Sequence, residues 1–204
     1  MLRNPVLYLG GFPNTLDSGE LVSLDRKVMI IVNVGQILMV DSSNGLGIRL
    51  SVFVSGCTNR CKGCFQPQTW DFSFGKPYDD AMEQFIIDEL SKNYYDGLTI
   101  LGGEPFELEN QHSVAALIRR VKQELPEKNI WVYTGFSYDT DLQPSGKRYI
   151  KDTDEILGSI DVLVDGKFIE EQKDVSLNFR GSKNQRIIDV QSTRKQGEIV
   201  ILPL

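Results

Sequence analysis

The sequence predicts an α/β fold built around parallel strands, and three observations carry that expectation. Short apolar runs alternate with stretches of helical period. The helical stretches carry recognisable start and stop signals. Each of four apolar strand runs is followed at once by a loop of unusual composition: Gly56-Cys57, Gly102-Gly103-Glu104-Pro105, Gly135-Phe136 and Asp165-Gly166. In parallel α/β folds the loops at the carboxyl ends of the strands gather on one rim, where ligands bind. The four loops are therefore expected to face one site.

The candidate strands are Arg49–Ser55, Leu98–Leu101, Ile130–Thr134 and Ile160–Val164, with Val28–Val34 as an additional edge strand and Gln185–Val190 as a late one. Asp80 followed by Glu83 resembles a capping box, and Met82, Phe85, Ile86 and Leu90 then form one apolar stripe. Asn110 is positioned to cap the next helix. There Val114, Leu117, Ile118, Val121 and Leu125 repeat at helical spacing before Pro126 stops it. A short helix near Thr153–Leu157 leads into the Ile160 strand. Residues 1–28 contain Pro5, Gly10-Gly11 and Pro13 without a clear period, and are read as an extension preceding a domain of residues 29–204.

With 204 residues the chain can bury one ordinary core. Its 41% apolar and 25% charged residues are those of a folded protein, not of a disordered one. A net charge of −6 argues against nucleic acid as a partner, since neutralising phosphates takes a concentrated basic surface. No apolar stretch reaches the ~18 residues expected of a membrane span, and no signal-peptide layout opens the chain. Three cysteines cannot all pair, and all three fall within one short segment. That pattern suits a reducing cytoplasm and a ligand role better than a disulfide framework.

The segment Cys57-Thr58-Asn59-Arg60-Cys61-Lys62-Gly63-Cys64 has the spacing C-x3-C-x2-C. Thiolates are soft ligands for iron–sulfur clusters, zinc and Cu(I), and a short loop can wrap three of them around one inorganic core. A four-iron cubane needs four ligands, so three cysteines leave one iron open. An amine and a carboxylate on a small molecule can chelate that iron. Structural zinc needs a fourth protein ligand, and the single histidine, His112, lies on a helix that follows a different strand. His112 reads as an exposed residue of a helix first turn.

Two glycines, Gly102 and Gly103, allow backbone to approach a ligand closely, and the carbonyls so exposed can accept from an ammonium group. Gly63 suits a sharp turn between Cys61 and Cys64. Phe65 and Trp70 stand near the cysteine loop, where they either shield the site from water, stack on a base, or pack in the core.

These segments resemble the radical S-adenosylmethionine superfamily, and most closely the activating proteins of anaerobic, class III ribonucleoside-triphosphate reductases. The likeness runs through Asn44-Gly45-Leu46-Gly47-Ile48-Arg49, Phe53-Val54-Ser55-Gly56-Cys57, Cys64-Phe65-Gln66-Pro67-Gln68-Thr69-Trp70, Trp131-Val132-Tyr133-Thr134-Gly135, Asp161-Val162-Leu163-Val164-Asp165-Gly166-Lys167-Phe168 and Arg180-Gly181-Ser182-Lys183-Asn184-Gln185. The resemblance implies a partial, open parallel (β/α) barrel of the radical S-adenosylmethionine type. It implies a [4Fe-4S] cluster on Cys57, Cys61 and Cys64, with S-adenosylmethionine on the fourth iron. Gly63, Cys64 and Phe65 are then expected along the adenosyl group, and Gly102, Gly103 and Glu104 around the methionyl end. Glu104 stands where many activases have aspartate. The implied activity is reductive cleavage of S-adenosylmethionine to a 5′-deoxyadenosyl radical, which removes a hydrogen from a glycine of the reductase. The implied partners are that glycyl-radical subunit and a one-electron donor such as reduced flavodoxin. Alternatives are an activase of the pyruvate formate-lyase type and a non-catalytic iron–sulfur or zinc module.

Overall fold

The computed structural model describes residues 32–204. The expected extension 1–28 and the start of the expected strand Val28–Val34 lie outside the described residues. The described chain runs β1 (Asn33–Asp41), β2 (Arg49–Val54), β3 (Lys76–Pro77), α1 (Asp80–Leu90), β4 (Gly97–Gly102), α2 (Gln111–Glu124), β5 (Asn129–Tyr133), α3 (Lys151–Ser159), β6 (Val162–Asp165), β7 (Arg186–Asp189) and α4 (Val190–Gln196). All seven strands join one sheet in the order β3-β1-β2-β4-β5-β6-β7.

The four strands expected from the sequence form its parallel centre. Leu50 pairs beside Leu98, Leu98 beside Ile130, and Val132 beside Leu163. Both flanks are antiparallel: β1 to β2, β3 to β1, and β7 to β6. The expected parallel strands thus form the centre of a mixed α/β sheet. No pairing joins β3 to β7 among the described residues, so the sheet has two ends. The edge strand also lies further along than expected, because β1 extends to Asp41 through a stretch, Gly35–Asp41, that alternates too weakly to be read as a strand.

Helices α1, α2 and α3 each return the chain to the next parallel strand, and their apolar stripes cover one face of the sheet. Ile86, Leu90, Val114, Ile118, Val121 and Ile156 pack there against Leu50, Val52, Leu98, Ile100, Ile130 and Leu163. Burying each such side chain contributes about 1.5–3 kcal/mol. The opposite face carries a smaller cluster of Trp131, Val162, Val164 and Ile187, with Phe179, Leu202 and Leu204 packed on it. Two caps differ from the sequence reading. Asp79, not Asp80, caps α1, its carboxylate accepting from the Met82 amide at 2.9 Å. Asn110 precedes α2 but its side chain makes no capping bond. The short helix α4 was not expected; Asp189 caps it and Gly197 ends it in a left-handed conformation.

At the amino ends of the parallel strands sits a fully buried arginine, Arg49. Its donors reach Thr99 Oγ1 at 2.5 Å, the Leu98 carbonyl at 2.6 Å, Asn129 Oδ1 at 2.8 Å, and the Leu46 and Asn129 carbonyls at 3.0 and 3.2 Å. These acceptors are neutral, and burial lowers the guanidinium pKa to about 10. It remains charged at neutral pH because the planar fork finds an acceptor in each direction. One side chain thus ties β2, β4, β5 and the 44–48 loop together. Replacing it by methionine strands several buried acceptors. Arg49→Met is expected to lower unfolding free energy by about 2–4 kcal/mol, read as an earlier denaturant midpoint at unchanged slope.

Candidate functional site

The carboxyl ends of β2, β4, β5 and β6 converge as expected, and hydrogen bonds between their loops fix the arrangement. The cysteine loop leaves β2 and returns along its own start, with the Gly56 amide on the Thr69 carbonyl at 2.8 Å and the Cys57 amide on that of Trp70 at 3.3 Å. Between these points the chain turns through two left-handed residues, Arg60 (φ 43°) and Gly63 (φ 71°). Gly63 is also where the loop presses on the Glu170 side chain, which an added Cβ would meet at 2.8 Å.

Cys57 is buried, whereas Cys61 and Cys64 are partly exposed, and all three thiols are free. Burial, followed by the charge of Glu104, pushes the Cys57 thiol up to about 12, while the amides of Asn59 and Arg60 act in the other direction. Burial also raises Cys61, opposed by the Lys167 charge and by the Phe168 amide from the loop after β6. Among the described residues, no group of His, Cys, Asp and Glu side chains is arranged to hold a single metal ion. Ligands of a multi-iron cluster attach to different irons and do not converge on one point. Three soft thiols on one loop are the donor set such a cluster takes.

Gly102 and Gly103 occupy the crossing of the second rim loop over the first. The Gly103 amide donates to the Val54 carbonyl at 2.7 Å and the Glu104 amide to that of Gly56 at 2.9 Å. An added Cβ on Gly103 would lie 2.6 Å from the Gly56 oxygen and 2.9 Å from that of Thr69. The missing side chain at Gly103 thus lets two loops of this chain touch.

Glu104 is almost wholly buried and holds the rim together. Its Oε1 accepts from the Phe106 amide at 3.0 Å and the Thr134 hydroxyl at 2.7 Å. Oε2 accepts from the Gly135 amide at 2.7 Å and Asn59 Nδ2 at 3.0 Å. Asn110, freed from capping, donates to the Ser55 and Glu104 carbonyls, both at 2.9 Å. The fourth loop joins through Asp165, which accepts from the Tyr138 amide at 2.8 Å. Phe65 is 69% exposed and rests edge-on against Phe168, ring centroids 5.9 Å apart. Trp70 is half-buried, with an indole N–H that has no partner among the described residues. It lines a cleft of about 760 Å³ together with Cys57, Arg60, Gln68, Phe72 and Phe74. His112 is exposed beside Asp152 at 3.3 Å and far in sequence from the cysteines, as expected of a first-turn residue.

Sequence reasoning missed Asn59, Thr134 and the new role of Asn110. Their partners lie across 30 to 55 positions of the chain, a separation no local pattern encodes.

Burial raises the Glu104 pKa to about 7 against the donors around it. A carboxyl whose pKa is higher folded than unfolded makes the fold bind protons more tightly. Stability it contributes at low pH is therefore lost as pH rises from the unfolded value, about 4.3, toward 7. The metal-free protein is expected to show that decline in denaturant unfolding. Glu104→Gln should remove that part of the slope.

Residues 43–188 match the family described as a 4Fe-4S single cluster domain. An anaerobic ribonucleoside-triphosphate reductase-activating protein of Haemophilus influenzae is 44% identical over 158 residues, which cover 76% of this chain and 97% of that protein. The protein of the same name from Escherichia coli is 38% identical over 156 residues, covering 76% and 96%. That of Enterobacteria phage T4 is 35% identical over 156 residues, covering 76% and 93%. Spanning nearly the whole of these relatives at 35–44% identity, the chain belongs to the family of anaerobic ribonucleoside-triphosphate reductase-activating proteins.

Proposed function

We propose that the chain activates an anaerobic ribonucleoside-triphosphate reductase, with Cys57, Cys61 and Cys64 holding a [4Fe-4S] cluster and S-adenosylmethionine on the fourth iron. The observation that carries this reading is the gathering of the chain's three cysteines on one loop above a rim where three further loops meet. When bound, the pair supplies a one-electron cleavage of the sulfonium that yields a 5′-deoxyadenosyl radical for hydrogen removal from a glycine of the partner.

The chain's own residues then bind, orient and shield. Both oxygens of Glu104 are committed to donors of the rim. Its part is to hold Gly102 and Gly103 in place, so that their backbone can meet a methionyl group. Gly63, Cys64 and Phe65 close the side on which the adenosyl group is read. Trp70, Phe72 and Phe74 form an aromatic wall beside Cys57 that keeps water from a reactive site.

Residues 29–204 are read as the activase domain, in the cytoplasm, and the mixed sheet as a partial, open barrel. Among the described residues no helix is long and apolar enough to cross a membrane. The partners are the reductase's glycyl-radical subunit and a one-electron donor such as reduced flavodoxin.

Anaerobic reconstitution is expected to load about four irons per chain, and alanine at Cys57, Cys61 or Cys64 to abolish both loading and activity. Reduced protein with S-adenosylmethionine should generate a glycine-centred radical on a cognate reductase, seen by electron paramagnetic resonance, and none on a reductase whose glycine is alanine. Full activity with stoichiometric zinc and no iron overturns the cluster. Deoxyadenosine formed in step with a small-molecule product, independently of the reductase, overturns the partner.

A further inference from the structure

Glu107 stands three positions beyond Glu104, fully buried, and has no part in the reading above. One of its oxygens, Oε1, accepts both from the Thr58 amide at 2.7 Å and from the Thr58 hydroxyl at 2.6 Å. The other, Oε2, faces the Arg148 guanidinium at 2.9 Å as a charge contact without hydrogen-bond alignment. Arg148 closes the triangle by donating to Thr58 Oγ1 at 2.7 Å. Its guanidinium carbon lies 4.5 Å from the centre of the Phe136 ring, in the loop after β5. Three chain segments thus meet at the residue that follows Cys57.

A buried ion pair is a weak stabilising device, and well-packed apolar residues of similar volume often do as well or better. Stability alone does not explain why charge is placed here. Two electrostatic consequences do follow from the geometry. The Thr58 N–H, next to a thiol, is the kind of donor that can reach cluster sulfur, and Glu107 takes it up. The Arg148 cation lies beside the same loop, and Glu107 offsets it. Hydrogen bonds to sulfur and net positive charge both raise the reduction potential of an iron–sulfur cluster.

We propose that Glu107 is a positioning residue that keeps the cluster strongly reducing, by engaging the Thr58 N–H and neutralising Arg148 beside Cys57. The proposal rests on the reading that Cys57 is a cluster ligand. Cleaving a sulfonium by one electron demands a low-potential donor, which gives the buried carboxylate a purpose that packing does not.

The test is a redox titration of the anaerobically reconstituted full chain, followed by electron paramagnetic resonance of the reduced cluster. Glu107→Gln keeps size and an acceptor oxygen but loses the charge, and its midpoint potential is expected to shift upward at wild-type iron content. Arg148→Gln is expected to shift it downward. The double variant should return toward wild type, since the two shifts oppose each other. Midpoints unchanged in all three, with only a lowered melting temperature, overturn the proposal and leave Glu107 a structural residue. If Glu107→Gln fails to hold a cluster, Arg148→Gln decides alone: a downward shift supports the proposal and an unchanged potential overturns it. A wild-type chain that takes up no iron instead overturns the cluster reading beneath it.

Discussion

Everything at the rim depends on one buried carboxylate finding four donors. Glu104 comes from the loop after β4, and its donors are supplied by that loop, by the cysteine loop and by the turn after β5. Buried charge is tolerated only where hydrogen bonds replace water. Any displacement of one loop would strand part of that carboxylate, so the three loops are held in a single mutual position. The parallel centre of the sheet brings the loops to the same end; Glu104 and Asn110 then fix them against each other.

The same carboxylate helps make the cysteine loop a poor place for a bare thiolate. Burial and the Glu104 charge both hold Cys57 protonated at neutral pH. A bound cation reverses that balance, since a thiol coordinated to a metal loses its proton outright. The negative charge that disfavours the free thiolate favours an occupant carrying positive charge. An acidic surrounding is therefore in keeping with a metal-holding loop and out of keeping with a nucleophilic cysteine, which needs its pKa depressed.

The parts of the fold legible in the sequence were those set by local pattern. Arg49–Ser55 and Ile130–Thr134 read as strands because their apolar runs end at glycine, and α2 read as a helix because its stripe repeats until Pro126. The cysteine spacing was legible for a similar reason, since its chemistry lies within one loop. Features set by distant partners were not. Asn110 precedes a helix as a cap would, yet its amide is spent on Ser55, which lies 55 positions away. Asp79 outcompetes Asp80 as a cap because it is the one in extended conformation, with φ near −115°. The antiparallel flanks depend on how β1 and β7 return, and their residues carry no sign of strand direction. At Gly103 the chain's own backbone comes close, at the Gly56 and Thr69 carbonyls, and a contact with so distant a partner has no local sign in the sequence.

The sheet's outermost strand on the cysteine side, β3, consists of Lys76 and Pro77, both exposed. A proline offers no amide hydrogen, and lysine at an edge discourages a neighbouring chain from adding a strand. Just before it come Phe72 and Phe74, partly exposed rings that would otherwise invite self-association. These two rings thus stand next to the short stretch of edge, opposite Asn33 and Val34, that β3 covers with a residue pair ill suited to take a further strand. A neighbour that meets the rings at this stretch is held by shape and side chains and finds little backbone to pair with.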